Sequence, residues 1–190
     1  VLTVWDLCHR DHPEFPEVRS NFEFEAREDF LRGSLSKAVA VIADSPLGKS
    51  NLERRYGLDP ERVRWISHSP ARSTLSEEED SSFDPREAAD VPPGAPYVFY
   101  PAQFWAHKNH RLIIDALALL RKHDKRDLHA IFCGSDCGNL NFVLGMARKA
   151  GVEDLVHYAG FVPDEHMAAH YRHSLALVMP TYFGPTNMPP

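Results

Sequence analysis

Ala38-Val39-Ala40-Val41-Ile42-Ala43, followed by Asp44-Ser45-Pro46, is the stretch on which the fold turns. Six consecutive apolar residues bounded by polar ones have the length of a strand, and continuous apolarity is the pattern of a parallel strand covered on both faces. A helix follows at once: Ser45 is a good N-cap, Pro46 suits the first helical position, and Gly57 stands where a helix over 46–56 needs a left-handed terminator. Upstream, Val1-Leu2-Thr3-Val4 reads as a strand. A polar, proline-containing stretch over 6–17 separates it from a helix over about 21–35, whose Phe22, Phe30 and Leu31 supply an apolar face and whose last turn Gly33 weakens. Downstream, Val63-Arg64-Trp65-Ile66-Ser67 is the next strand. Strand, helix, strand, helix, strand is the alternation of an α/β layer.

Over 68–96 the pattern lapses into prolines, serines and the acidic run Glu77-Glu78-Glu79-Asp80. We therefore place one piece over 1–75, a linker over 76–95 and a second piece over 96–190. In the second piece the alternation restarts with strands over 97–100, 129–133, 156–159 and 175–179. Helices are expected over 109–123, 140–150 with Gly151 as terminator, and 164–173. The fold class expected is α/β, two Rossmann-like parallel-sheet pieces. Both are expected to be incomplete, because the chain opens inside a strand and stops in a loop; a freestanding 190-residue chain with its sheet faces uncovered would self-associate.

Composition narrows the function classes. The 190 residues are 43% hydrophobic and 25% charged, and 21 Lys and Arg against 27 Asp and Glu give a net charge of -6, which argues against a general affinity for nucleic acid. No run approaches the ~20 apolar residues of a membrane span and no signal peptide opens the chain. Three cysteines, Cys8, Cys133 and Cys137, form no disulfide framework and fit a reducing compartment as thiols.

In open parallel sheets ligands bind beyond the carboxyl ends of the strands, so the chemistry should lie in the four strand-exit loops of the second piece. The first, 101–108, ends in Lys108, before Asn109 as the expected N-cap of the next helix. The second, 134–139, carries Gly134 and Gly138, which allow backbone to approach a ligand. The third is 160–164. The fourth, 180–187, presents Gly184, Thr186 and Asn187 as an anion cradle. Cys133 and Cys137 lack the spacing of a zinc knuckle, and His107 and His110 straddle a helix start that points them apart, so no metal is expected. There is no Gly-x-Ser-x-Gly elbow, Gly-x-Gly-x-x-Gly or phosphate-binding Gly-x4-Gly-Lys-Ser loop.

Taken together, the segments 97–110, 131–135, 156–165 and 179–190 resemble retaining glycosyltransferases of the GT-B fold, closest to glycosyltransferase family four, group one. Residues 3–7, 38–45 and 56–57 resemble the later part of that family's acceptor domain. The resemblance implies a GT-B-like pair of Rossmann-like domains, a nucleotide-sugar donor held mainly by the second, and a glycan or lipid-linked acceptor. It implies a transferase with no separate cofactor and no metal; with no membrane span or signal peptide read in the sequence, the expected place is the cytoplasm, and peripheral association with the inner face of the membrane stays open.

Carried over position by position, Lys108 looks like the lysine that neutralises the donor diphosphate. Gln103 lies near the family's arginine, a departure that removes a charge. Val162 corresponds to the position whose backbone meets the nucleobase, and Asp164 lies near a second polar contact; Gly134, Thr186 and Asn187 complete the donor loops. The family's Glu-x7-Glu motif starts at Gly184, so its first carboxylate is missing, and its second falls two residues past Pro190. Trp5 replaces a histidine that contacts the transferred sugar, with His9 nearby as the substitute. The loop Phe183 to Pro190 looks like that of mannosyltransferases of bacterial surface-polysaccharide assembly, which implies GDP-mannose. A non-catalytic nucleotide-sugar-binding module and a nucleotide-sugar epimerase are the alternatives.

Overall fold

The computed structural model describes residues 1–69 and 83–184. They form two compact units, Val1–Ser69 with Phe183 and Gly184, and residues 83–182. The first unit is built on three parallel strands in the order β1 (Leu2–Val4), β2 (Val41–Ala43), β3 (Val63–Trp65). Helix α1 (Cys8–Asp11) follows β1, α2 (Glu23–Leu35) precedes β2, and α3 (Pro46–Tyr56) links β2 to β3. The start and stop signals of α3 act as expected. Ser45 Oγ accepts the Gly48 N–H at 3.0 Å, and Gly57 closes the helix with φ 63°. Val4, Leu7, Leu31, Leu35, Val41, Ala43, Leu52 and Val63 form the core.

Two elements depart from expectation. Strand β2 is half as long as its apolar run because the Ala38 N–H bonds back to the Ser34 carbonyl, closing the end of α2, and this leaves Val39 84% exposed in the turn. Helix α1 has no strong local signal. Asp6 Oδ1 accepts the Cys8 N–H at 2.9 Å and starts it.

The second unit has four parallel strands in the order β6-β5-β4-β7, with β4 Tyr97–Pro101, β5 His129–Cys133, β6 Val156–Tyr158 and β7 Ala176–Leu177. Every residue of β4 and β5 is buried, as central strands between helical layers require. Helices α5 (His110–Leu119), α6 (Leu140–Ala150) and α7 (Asp164–His173) make the crossovers. The expected helix over 109–123 ends differently. Its last turn, Leu120–Asp124, widens to π geometry and stops at Lys125, φ 54°.

Strand β7 is a correction to the expected buried five-residue strand. It has two residues, both exposed, because among the described residues it lies at the sheet edge with β4 as its one strand neighbour; Val178 and Met179 leave it to pack on the core. Within the stretch read as linker, Pro85–Ala88 forms a short helix, α4, capped by Asp84 accepting the Arg86 N–H at 2.8 Å and packed on α7. No helix among the described residues is long and apolar enough to cross a membrane.

Candidate functional site

Strands β4, β5 and β6 progress across the sheet in chain order, and β7 then returns to the opposite side of β4. The order therefore reverses between β4 and β7, and the crevice beyond the carboxyl ends of strands at such a reversal is where open α/β sheets bind ligands. The loops leaving these two strands are stitched together. The His107 carbonyl accepts the Tyr182 N–H at 2.9 Å and the Thr181 hydroxyl at 3.3 Å, and Asn109 Nδ2 donates to the Pro180 carbonyl at 3.0 Å. Lys108 lies in the middle of this seam, half-buried, its carbonyl accepting the Tyr100 hydroxyl at 2.8 Å. Asn109 stands at the N-cap position of α5, as expected, but does not cap the helix with its side chain. It takes a left-handed conformation, φ 55°, and its side chain makes no cap bond but ties the two loops.

The remaining exits join the same platform. Ala102 N–H donates to the Cys133 carbonyl at 2.9 Å and Phe104 N–H to the Ser135 carbonyl at 3.0 Å, while Gly134 N–H donates to the Gly160 carbonyl at 2.9 Å. Gly134 has a different task from the one its composition suggests. At φ 132° a Cβ there would fall 2.6 Å from the Ala102 oxygen, so the glycine admits the neighbouring loop's backbone. Beneath Lys108 the platform rests on aromatic packing: Phe104 is fully buried and stacks on His110 at 4.3 Å, and burial lowers the His110 pKa to about 4, which keeps the ring neutral.

The other expected contacts separate by position. Gln103 is exposed and its Oε1 accepts the Trp105 indole N–H at 2.9 Å. Val162 is half-buried and packs against the core that includes Tyr97, Phe99 and Met167. Asp164 opens α7 and is exposed. Gly184, φ 142°, groups with the first unit, and Thr186 and Asn187 lie outside the described residues. Cys133 and Cys137 are free thiols, and burial raises Cys133 to about 12. Among the described residues no three His, Cys, Asp or Glu side chains gather as a metal site.

In the first unit, His9 is wholly buried and its Nε2 lies 2.9 Å from Glu28 Oε1, so the ring presents nothing to a sugar. This corrects its expected place at the donor. Sequence reading missed Glu28 itself, a buried carboxylate that also receives Arg10 at 2.5 and 2.7 Å, Arg32 at 3.0 Å and the Tyr56 hydroxyl at 2.6 Å. The Arg10 bonds above all, with those of Tyr56 and His9, hold its carboxyl well below the usual range against the opposing effect of burial. This hub fastens α1, α2 and α3 together and fixes the segment after β1. No local motif announces it, because its partners are up to 28 residues away in sequence.

Residues 83–189, more than half of the chain, match the family of glycosyl transferases group 1. The chain belongs to that family. Two curated relatives are D-inositol 3-phosphate glycosyltransferases: that of Corynebacterium kroppenstedtii is 25% identical over 183 residues, 93% of this chain and 38% of its own, and that of Corynebacterium efficiens 23% identical over 84% of this chain and 39% of its own. The chain thus spans about two fifths of the length of these relatives.

Among solved structures, WaaG, a glycosyltransferase involved in lipopolysaccharide biosynthesis, superimposes with a TM-score of 0.70 at 16% identity over 95% of this chain and 50% of its own. Sucrose-phosphate synthase from Thermosynechococcus elongatus gives 0.67 at 21% identity over 97% and 45%, and Anabaena HepE in complex with UDP and glucose gives 0.60 at 18% over 88% and 44%. At these identities the likeness establishes the fold, an α/β GT-B type made here of two partial Rossmann-like pieces.

Proposed function

We propose that this chain forms part of a nucleotide-sugar-dependent glycosyltransferase, and that the seam between the β4 and β7 exit loops takes the donor diphosphate. The observation that carries the reading is the position of Lys108 at the reversal of strand order. When the glycosidic bond to the donor breaks, negative charge grows on the departing diphosphate and the sugar becomes oxocarbenium-like. A cation fixed beforehand at the place where charge develops lowers that barrier without reorganising. The stitching of Lys108's neighbours His107 and Asn109 to the β7 loop supplies the fixing. In this reading Gln103 and Asp164 are polar neighbours of the donor, and the Val162 backbone meets its base.

We further propose GDP-mannose as donor and retention of configuration, on the form of the loop from Phe183. UDP-glucose is the second reading, favoured by the UDP and glucose bound to HepE. The acceptor is a glycan or lipid-linked saccharide. Incubating the protein that carries this chain with GDP-mannose, UDP-glucose and UDP-N-acetylglucosamine, each labelled in the sugar, tests the proposal. Release or transfer of label from one donor supports it, and mannose release identifies the base. Tight nucleotide binding with no turnover under any acceptor mixture contradicts the transferase reading and leaves a binding module.

A further inference from the structure

Strand β4 carries two buried tyrosines on opposite faces of the sheet. Tyr97 packs in the core with Phe99 and Met167, and Tyr100 in the core with Phe104, Ile114 and Phe132. A buried phenol must find a partner for its hydroxyl. Both do so at a backbone carbonyl: Tyr97 donates to His170 in α7 at 3.2 Å, and Tyr100 to Lys108 at 2.8 Å. The first bond ties a strand to a helix. The second reaches from the strand to the loop that leaves it, at the residue proposed to meet the donor diphosphate.

The conformation of that loop shows what the bond does. Ala106–Lys108 make a single 3-10 turn, in which the Lys108 N–H reaches the Trp105 carbonyl and the Asn109 N–H the Ala106 carbonyl, each at 3.2 Å. Asn109 then turns left-handed, φ 55°, before α5 starts at His110. A residue with a Cβ enters that region at a cost, which Asn bears more readily than most. Rotating the peptide between Lys108 and Asn109 would relieve the cost, because turning that one plane changes ψ of Lys108 and φ of Asn109 together. It would also swing the Lys108 carbonyl away from Tyr100. The Tyr100 hydroxyl therefore opposes the rotation, and the Asn109 side-chain amide, donating to the Pro180 carbonyl at 3.0 Å, opposes it from the next residue.

Tyr100 is itself held. Its ring lies 4.9 Å from that of His110 and meets Phe132 edge-on at 6.4 Å, and His110 in turn stacks on Phe104 at 4.3 Å. The residue is 1% exposed, and burial pushes its phenol well above the ordinary range, so the hydroxyl keeps its proton and remains a donor. We propose that Tyr100 is a positioning residue: through the Lys108–Asn109 peptide its hydroxyl holds Lys108 ready for the donor diphosphate. The inference rests on the reading of Lys108 as the diphosphate lysine. A cation fixed before charge develops stabilises that charge without reorganising, whereas one on a peptide that can rotate must first be ordered, so loss of the hydroxyl should be felt at the nucleotide.

A double-mutant cycle tests it, with GDP and UDP titrated calorimetrically into the protein that carries this chain, unaltered and as Tyr100→Phe, Lys108→Ala, the two combined, and Tyr97→Phe. Phenylalanine fills the space of either tyrosine and removes only the hydroxyl. Tyr100→Phe should weaken the preferred nucleotide about three- to tenfold, the range of one neutral hydrogen bond, and should change nothing further once Lys108 is replaced. Tyr97→Phe is the control: it removes a buried hydroxyl from the same strand, so it should lower the urea midpoint comparably and leave nucleotide affinity unaltered. Unchanged affinity in Tyr100→Phe while Lys108→Ala weakens binding overturns this inference and leaves the donor site standing. So do equal losses of affinity from the two tyrosines, and effects of Tyr100→Phe and Lys108→Ala that simply add in the combined variant. If Lys108→Ala leaves affinity unaltered, or the unaltered protein binds neither nucleotide, the donor reading falls and this inference with it.

Discussion

Glu28 is the residue on which the first unit is most concentrated. One carboxylate, with a side chain 9% exposed, receives His9, two donors of Arg10, Arg32 and Tyr56. Breaking a buried charged pair by removing one partner typically costs about 3–5 kcal/mol, because the other charges are left uncompensated, whereas losing one neutral donor costs about 1. We predict that Glu28→Ala lowers stability by about 3 kcal/mol or more in urea unfolding and that Tyr56→Phe lowers it by about 1. Equal effects of the two would show that the carboxylate is not the hub. His9 becomes intelligible only through this network. The family resemblance suggested a sugar contact for it in place of Trp5, and what its sequence position could not reveal is that α2, some 19 residues on, supplies a buried acid for it.

At the scale of the element, Gly134 joins β5 to the loop leaving β4. A side chain there would collide with the Ala102 carbonyl, and the conformation, φ 132°, is one that residues with a Cβ adopt at a cost of about 1–3 kcal/mol. Gly134→Ala should therefore destabilise the chain by about 2–3 kcal/mol and separate the β4 and β5 exits, read by unfolding and by loss of amide protection at Ala102 and Phe104. Gly138, with open space around its Cβ position, should tolerate alanine better despite its φ of 94°. The elements most legible in the sequence were those with local punctuation: α3 begins and ends where Ser45, Pro46 and Gly57 place it, and α6 stops at Gly151. Helix α4 carried a readable signal in Asp84-Pro85 that the acidic, proline-rich surroundings obscured. Helix α1 and the shortened β2 and β7 were not read from the sequence: α1 is started by Asp6 two residues upstream and tied down by the distant Glu28, β2 is cut short by the closing turn of α2, and β7 is set by the sheet edge. The return of β7 to the far side of β4, which creates the crevice proposed for the donor, likewise has no local code.

Across the whole molecule, two buried histidines couple folding to pH. Burial lowers His110 and His170 to about 4 each, from the 6.5 expected when exposed. Between those values the unfolded chain takes up protons that the folded one refuses, so stability is complete above about pH 6.5 and falls as the pH drops toward 4, by up to about 1.4 kcal/mol per unit for each histidine. Urea midpoints should decline from pH 7 to pH 5, and His110→Phe, which retains the stack on Phe104, should flatten the decline. A profile unchanged by that substitution would assign the loss to other groups. The same His110 ring stacks on Phe104 in the platform that carries Lys108, the proposed donor site. The most direct test is calorimetric titration of GDP and UDP into the unaltered protein, Lys108→Ala and Gln103→Ala at low and high salt. A charge-assisted phosphate contact contributes about 1.5–3 kcal/mol and a neutral one about 1. Lys108→Ala should thus weaken the preferred nucleotide tenfold or more and reduce the salt dependence of binding, with a smaller change for Gln103→Ala. Lys108→Ala binding with unaltered affinity and salt dependence, or no nucleotide binding by the unaltered protein, would contradict the donor site at the β4 and β7 exits.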